Sequence, residues 1–137
     1  MPLWQSGAKF AVRKMPKIIS PTTHAVLDYL VAASFLLKGA RLWKRHRRAA
    51  GASLICGGAA LANALVTDYP GGVFRKISFR THGRNDSAIA GLAAAAPKFL
   101  GFADDRESRF FSIEALTETV ITGLTDFDSY EDESLAA

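Results

Sequence analysis

One short pattern occurs twice in this chain. Residues 19–28 read Ile-Ser-Pro-Thr-Thr-His-Ala-Val-Leu-Asp, and residues 77–86 read Ile-Ser-Phe-Arg-Thr-His-Gly-Arg-Asn-Asp. Ile19, Ser20, Thr23, His24 and Asp28 thus return as Ile77, Ser78, Thr81, His82 and Asp86. The offset of 58 residues (77 − 19) then carries Arg48 onto Arg106, Ile55 onto Ile113, Thr67 onto Thr125 and Asp68 onto Asp126, with Tyr69 opposite Phe127. No gap is needed. A constant register over two helices' length of chain predicts a duplicated structural unit. The units are expected at about 17–72 and 75–130, inside a single domain spanning 1–137.

Four apolar segments are bounded by recognisable helix signals. Ser20 is a good N-cap, with Pro21 at the first helical position, where a missing N–H costs nothing. Segment 1 is expected to run to about Leu37 and close at Lys38-Gly39. Segment 2, Ala49–Val66, is eighteen residues with one amide, Asn63, and no charge. That length crosses ~30 Å of hydrocarbon at about 1.5 Å per residue. Pro70-Gly71-Gly72 reads as a turn, and Ser78 repeats the capping role of Ser20. Segment 3 covers Ser87 to about Phe102, with Pro97 expected to bend or end it. Segment 4, Phe110–Leu124, carries Glu114 and Glu118, which hydropathy alone would keep out of a membrane.

The segments suit either a bilayer-spanning bundle with its polar residues turned inward or a soluble four-helix bundle. Segment 2 favours the membrane. It lacks the polar stripe of a surface helix and is rich in Gly, Ala and Ser at four-residue spacing, which lets helices pack closely in lipid. The expectation is an all-α, four-helix transmembrane bundle of two tandem helical hairpins. A short N-terminal interfacial helix precedes it, in which Leu3, Trp4, Phe10 and Ala11 alternate with Lys9, Arg13, Lys14 and Lys17. The sides of this bundle carry eight and nine basic residues, so the positive-inside rule does not orient it.

Two parallel hairpins place equivalent ends on one side of the bilayer. His24, Asp28, Asp68, His82, Asp86 and Asp126 are therefore candidates for a common cluster and, as His plus carboxylate, for a zinc, iron or manganese site or a proton-transfer site. His24 and Asp28, like His82 and Asp86, lie one helical turn apart on one face. The same residues can serve simply to cap and tie helix ends. Asp68 and Asp126, at helix C-termini, oppose the macrodipole and need partners. Glu114 and Glu118 share a face with Thr122 and Thr125, and replace Cys56 and Ala60 of the first unit. Cys56 is the only cysteine, which excludes an intrachain disulfide. The formal net charge of +4 is uneven, with five acids in residues 126–133. The basic run Arg41–Arg48 around Trp43 reads as an interfacial connection rather than a nucleic-acid patch. No phosphate loop, nucleophile elbow or zinc-protease motif is present.

The opening Ile19–Tyr29, the Thr-Asp-Tyr-Pro-x-Gly junction Thr67–Gly72, His82, and Ala96-Pro97-Lys98-Phe99-Leu100-Gly101-Phe102 together resemble small bacterial membrane proteins with paired two-helix repeats. They are similar to the SPW-repeat type over about residues 17–128. The chain has Ala-Pro-Lys where that repeat has Ser-Pro-Trp. The resemblance implies four spanning helices in a bacterial inner membrane and no particular activity. The expected role is non-enzymatic, structural or as a complex subunit, without a cofactor. Its partners are membrane lipids, other subunits or a second copy, and not nucleic acid. The alternatives are a His/Asp metal or proton site and a soluble interaction module.

Overall fold

The structure is a computed structural model that describes residues 15–136. It contains α1 (Pro21–Leu42), α2 (Arg47–Val66), α3 (Phe79–Phe99), α4 (Ser108–Leu124) and α5 (Phe127–Ala136), with no strand among the described residues. The expected interfacial helix lies outside those residues. The fold class is all-α as read from the sequence. Of the four expected crossings, however, α2 alone is long and apolar enough to span a membrane by length and composition.

Both helical hairpins start on the same device. Ser20 Oγ accepts the Thr23 N–H at 3.2 Å and Ser78 Oγ that of Thr81 at 3.1 Å. Each serine hydroxyl also donates to the same threonine's Oγ1 at 3.0 Å. Each cap answers a donor that the first turn leaves unsatisfied. Ser78→Ala is expected to cost about 1 kcal/mol, read as a shift in the unfolding midpoint with helix content unchanged.

Two boundaries differ from expectation. Helix α1 runs through Gly39 to Leu42, because Gly39 serves contact rather than termination. A Cβ there would lie 2.6 Å from Leu54 Cγ, so the missing side chain lets α1 and α2 close together. Helix α3 begins at Phe79, not Ser87: the polar run Arg80–Asp86 is its first two turns. Pro97 does not end it: the proline lies inside the helix, which runs on to Phe99 and closes at Leu100 and Gly101, the glycine at φ 72° and the Phe102 N–H donating to Pro97 O at 2.8 Å.

Helix α1 packs chiefly on α2 and α3 on α4; α2 then meets α3, and α5 lies against α3. Phe35, Phe102 and Phe111 fill the core towards the 43–46 and 100–107 connections. Tyr69 and Phe79 fill it at the other end. Short parallel bridges join the hairpins there, Thr67 to Ile77 and Ile19 to Thr125. Asp68 N–H donates to Ile77 O (2.8 Å) and Ile77 N–H to Val66 O (3.0 Å); Asp126 N–H donates to Ile19 O (3.3 Å) and Ile19 N–H to Leu124 O (2.9 Å). Each bond of one bridge has its counterpart in the other at the 58-residue offset. Residues 67 and 125 are extended, with ψ of 139° and 135°. That backbone state decides the site that follows.

Candidate metal centre

The first turns of α1 and α3 bring His24, Asp28, His82 and Asp86 together, all buried. One donor atom from each lies within 4.8 Å of every other. His24 Nε2 is 3.1 Å from His82 Nε2, from Asp28 Oδ1 and from Asp86 Oδ2. His82 Nε2 is 3.0 Å from Asp28 Oδ2 and 2.9 Å from Asp86 Oδ2. Around a tetrahedral zinc ion with ligands at about 2.0–2.1 Å, neighbouring donors stand roughly 3.3–3.4 Å apart. The His–His and His–carboxylate distances need open by only a few tenths of an ångström to meet that figure.

The histidine tautomers follow from the hydroxyls behind them. Thr67 Oγ1 donates its one proton to Asn63 O at 2.5 Å, so it accepts from His82 Nδ1–H at 2.8 Å. Thr125 Oγ1 donates to Ile121 O at 2.6 Å and accepts from His24 Nδ1–H at 2.7 Å. Both Nε2 atoms are left facing the centre with a lone pair in the neutral form. The carboxylates are anchored as well. Tyr69 O–H donates to Asp28 Oδ2 at 2.8 Å, and Asn63 Nδ2 donates to Asp86 Oδ1 at 2.8 Å. Burial and the adjacent Asp28 charge raise the Tyr69 phenol above its ordinary value of 10.0, which keeps it a donor.

The supports cross between hairpins: the threonine ending each one holds the histidine that opens the other. At the position equivalent to Tyr69 stands Phe127, which has no hydroxyl, and Asn63 supplies Asp86 with the donor that Phe127 lacks. Tyr69, Phe79 and Phe127 set ring edges against His24, with centroids 6.5, 5.3 and 5.4 Å away, and shield that imidazole.

Asp68 and Asp126 do not join the cluster, contrary to expectation. Asp68 pairs with Arg75 at 2.8 Å on the surface. Asp126 Oδ1 caps α5 by accepting the Ser129 N–H at 3.1 Å. The cause is the extended backbone at 67 and 125. Consecutive side chains of an extended segment point to opposite sides, so Thr67 and Thr125 turn inward and the following aspartates outward. The functional residues missing from the sequence reading are therefore Thr67, Thr125, Tyr69 and Asn63. The two threonines were visible as matched positions, but helix periodicity gives no inward direction to a residue just past a helix end.

Two further acids face the interior. Glu118 is buried, and Glu114 is half-buried, accepting from Ser34 O–H at 2.5 Å. No protein-family model, curated protein or solved structure matches this chain.

Proposed function

We propose that the chain is a multi-pass membrane protein whose bundle binds one divalent transition-metal ion through His24, Asp28, His82 and Asp86. The carrying observation is the convergence of four donor atoms, each with its own supporting hydrogen bond. Metal-bound histidines characteristically give their second N–H to such a partner, which fixes ring orientation. Two imidazoles and two carboxylates suit zinc above softer thiolate-seeking ions. With four protein ligands and no open side the ion clamps the hairpins to each other, in keeping with a non-enzymatic, structural or subunit role.

The membrane part of the reading is supported by the outer surface of the bundle. None of the exposed residues within 29–37, 49–66, 87–97 or 110–124 is charged. Val26, Leu30, Leu37, Ile55, Leu92, Ile113 and Leu116 all stand outward, each about half exposed or more. The uncharged band is narrowest on α3, between Arg84 and Lys98, at about 20 Å for 1.5 Å per residue. Those two long side chains can extend their cations beyond it. The ionisable residues that lower the hydropathy in the middle of the bundle, His24 and Asp28 of α1, His82 and Asp86 of α3 and Glu118 of α4, are buried, the arrangement expected of such groups in a membrane bundle. A bacterial inner membrane and the likeness to the paired two-helix repeats belong to this same reading.

Metal analysis of detergent-purified protein tests it. About one zinc per chain is expected after equilibration and removal of free metal, with the protein floating with lipid vesicles in a density gradient. Thr67→Val, which leaves all four ligands in place, should weaken zinc binding by about 10–100-fold. Absence of bound metal from correctly folded, vesicle-associated protein would refute the metal reading and leave the membrane reading standing.

A further inference from the structure

The two hairpins differ along one internal line. Where the first has Cys56, Ala60 and Ala64, all buried, the second has Glu114, Glu118 and Thr122. These three follow one another at four-residue spacing on a single face of α4, covering about 12 Å. Glu118 is 3% exposed, and its Oε2 has no hydrogen-bond partner. The Thr122 hydroxyl, one turn away, has none either. Buried polar atoms in native proteins are almost always satisfied by protein or water. Two orphans one turn apart mark a place for ordered water, which binds where a polar site offers it two or more partners.

This line opens at both ends. Towards the termini, Thr122 lines a groove of about 290 Å³ shared with Lys17, Arg80, Arg84, Ser87 and Asp128. At the other end Glu114 accepts from Ser34, and Lys38 follows one turn later on α1, its ammonium 5.3 Å from the Phe110 ring. The track thus leads from a charged groove, through Thr122, Glu118 and Glu114, towards the cation-rich opposite face. Asp28 and His24 of α1 and Asp86 and His82 of α3 act electrostatically on Glu118 across the bundle. No hydrogen bond joins them to it.

We propose that this track conducts protons across the bundle, with Glu118 as its central carrier. A Glu118 carboxylate oxygen takes a proton from water in the groove. The carboxyl passes a proton to Glu114, and Glu114 releases one to water at the opposite end. Only O–H bonds form and break, and one proton leaves for each that enters. An ionisable residue inside a membrane bundle belongs by default to such a relay or to an ion path. The proposal rests on the membrane-spanning reading and is independent of the metal.

The test reconstitutes the full chain in liposomes holding a pH-sensitive dye and drives protons inward with a potassium–valinomycin potential, a chelator being present throughout. Flotation reports insertion separately. The wild type should acidify the lumen faster than protein-free liposomes, and Glu118→Gln should fall to the protein-free rate while keeping the wild-type zinc content measured without chelator. Dicyclohexylcarbodiimide, which modifies protonated carboxyls in apolar surroundings, should form an adduct at Glu118 and stop wild-type flux, a readout that needs no variant to fold. Floating wild-type protein with no flux above protein-free liposomes overturns the proposal, as does a conducting Glu118→Gln or flux surviving the adduct. Failure to float overturns the membrane reading and the proposal with it.

Discussion

His82→Ala should empty the centre of metal and destabilise the bundle by about 3–5 kcal/mol, the loss typical when one partner of a buried ionic group is removed. The imidazole meets Asp28 at 3.0 Å, Asp86 at 2.9 Å and Thr67 at 2.8 Å. Its removal leaves two buried carboxylates to share His24, and leaves the Thr67 hydroxyl without its donor. Most of the loss therefore comes from what stays behind. The double variant His82→Ala with Asp86→Ala removes one of those stranded charges and should cost much less than the sum of the single changes, since contacting residues are non-additive. Titration with a denaturing detergent in mixed micelles, alongside zinc content, measures both. Additive losses would show that the four side chains do not act as a unit.

Gly72→Ala should be still more disruptive, although the residue's backbone N–H bonds Tyr69 O and none of the four clustered side chains. A Cβ there would sit 1.7 Å from Thr67 O and 2.9 Å from Thr67 C. Both atoms are backbone, so no rotamer change relieves the clash. The connection must shift, and Thr67 carries the hydroxyl that orients His82. The expected loss exceeds about 4 kcal/mol, the range reserved for a short set of severe mechanisms, and any folded remainder should bind zinc weakly. Gly51→Ala is the control: nothing lies within 4 Å of a Cβ at that helical position, so it should be neutral or stabilising by up to about 1 kcal/mol. Thermal unfolding of the pair decides between a local clash and a general intolerance of added side chains.

The fold was legible where local chemistry repeats and obscure where packing decides. Ser20 and Ser78 announce helix starts because a cap depends only on nearby backbone. Gly39 misleads, since the residue type of a helix stop is also that of close helix contact, and only the position of Leu54 separates the two. The polar start of α3 hides its helical state because Arg80 and Arg84 face outward at the bundle end while His82 and Asp86 turn into the site. Within the site, the i,i+4 pairs His24/Asp28 and His82/Asp86 were readable as two half-sites, and the 58-residue offset placed them at one end. That they close to about 3 Å needed the packing of one hairpin on the other, chiefly α2 against α3 with α1 against α4. Asp68 and Asp126 looked equally eligible because composition carries no direction; the extended backbone at 67 and 125 chose their neighbours instead. Hydropathy alone would keep Glu118 out of a membrane, and only the packing of α4 shows that its side chain is buried.

The crossed threonines bear on how such a molecule can arise. Either hairpin alone holds one imidazole, one carboxylate and one hydroxyl, and that hydroxyl reaches only a histidine it does not own. A free hairpin could therefore complete nothing by itself, whereas two identical copies related by a dyad through the His/Asp cluster would complete the crossed pairs. Joining them through residues 68–76 makes the pairing obligatory and frees each half to vary alone, which is the condition for glutamates on one side of the axis and not the other.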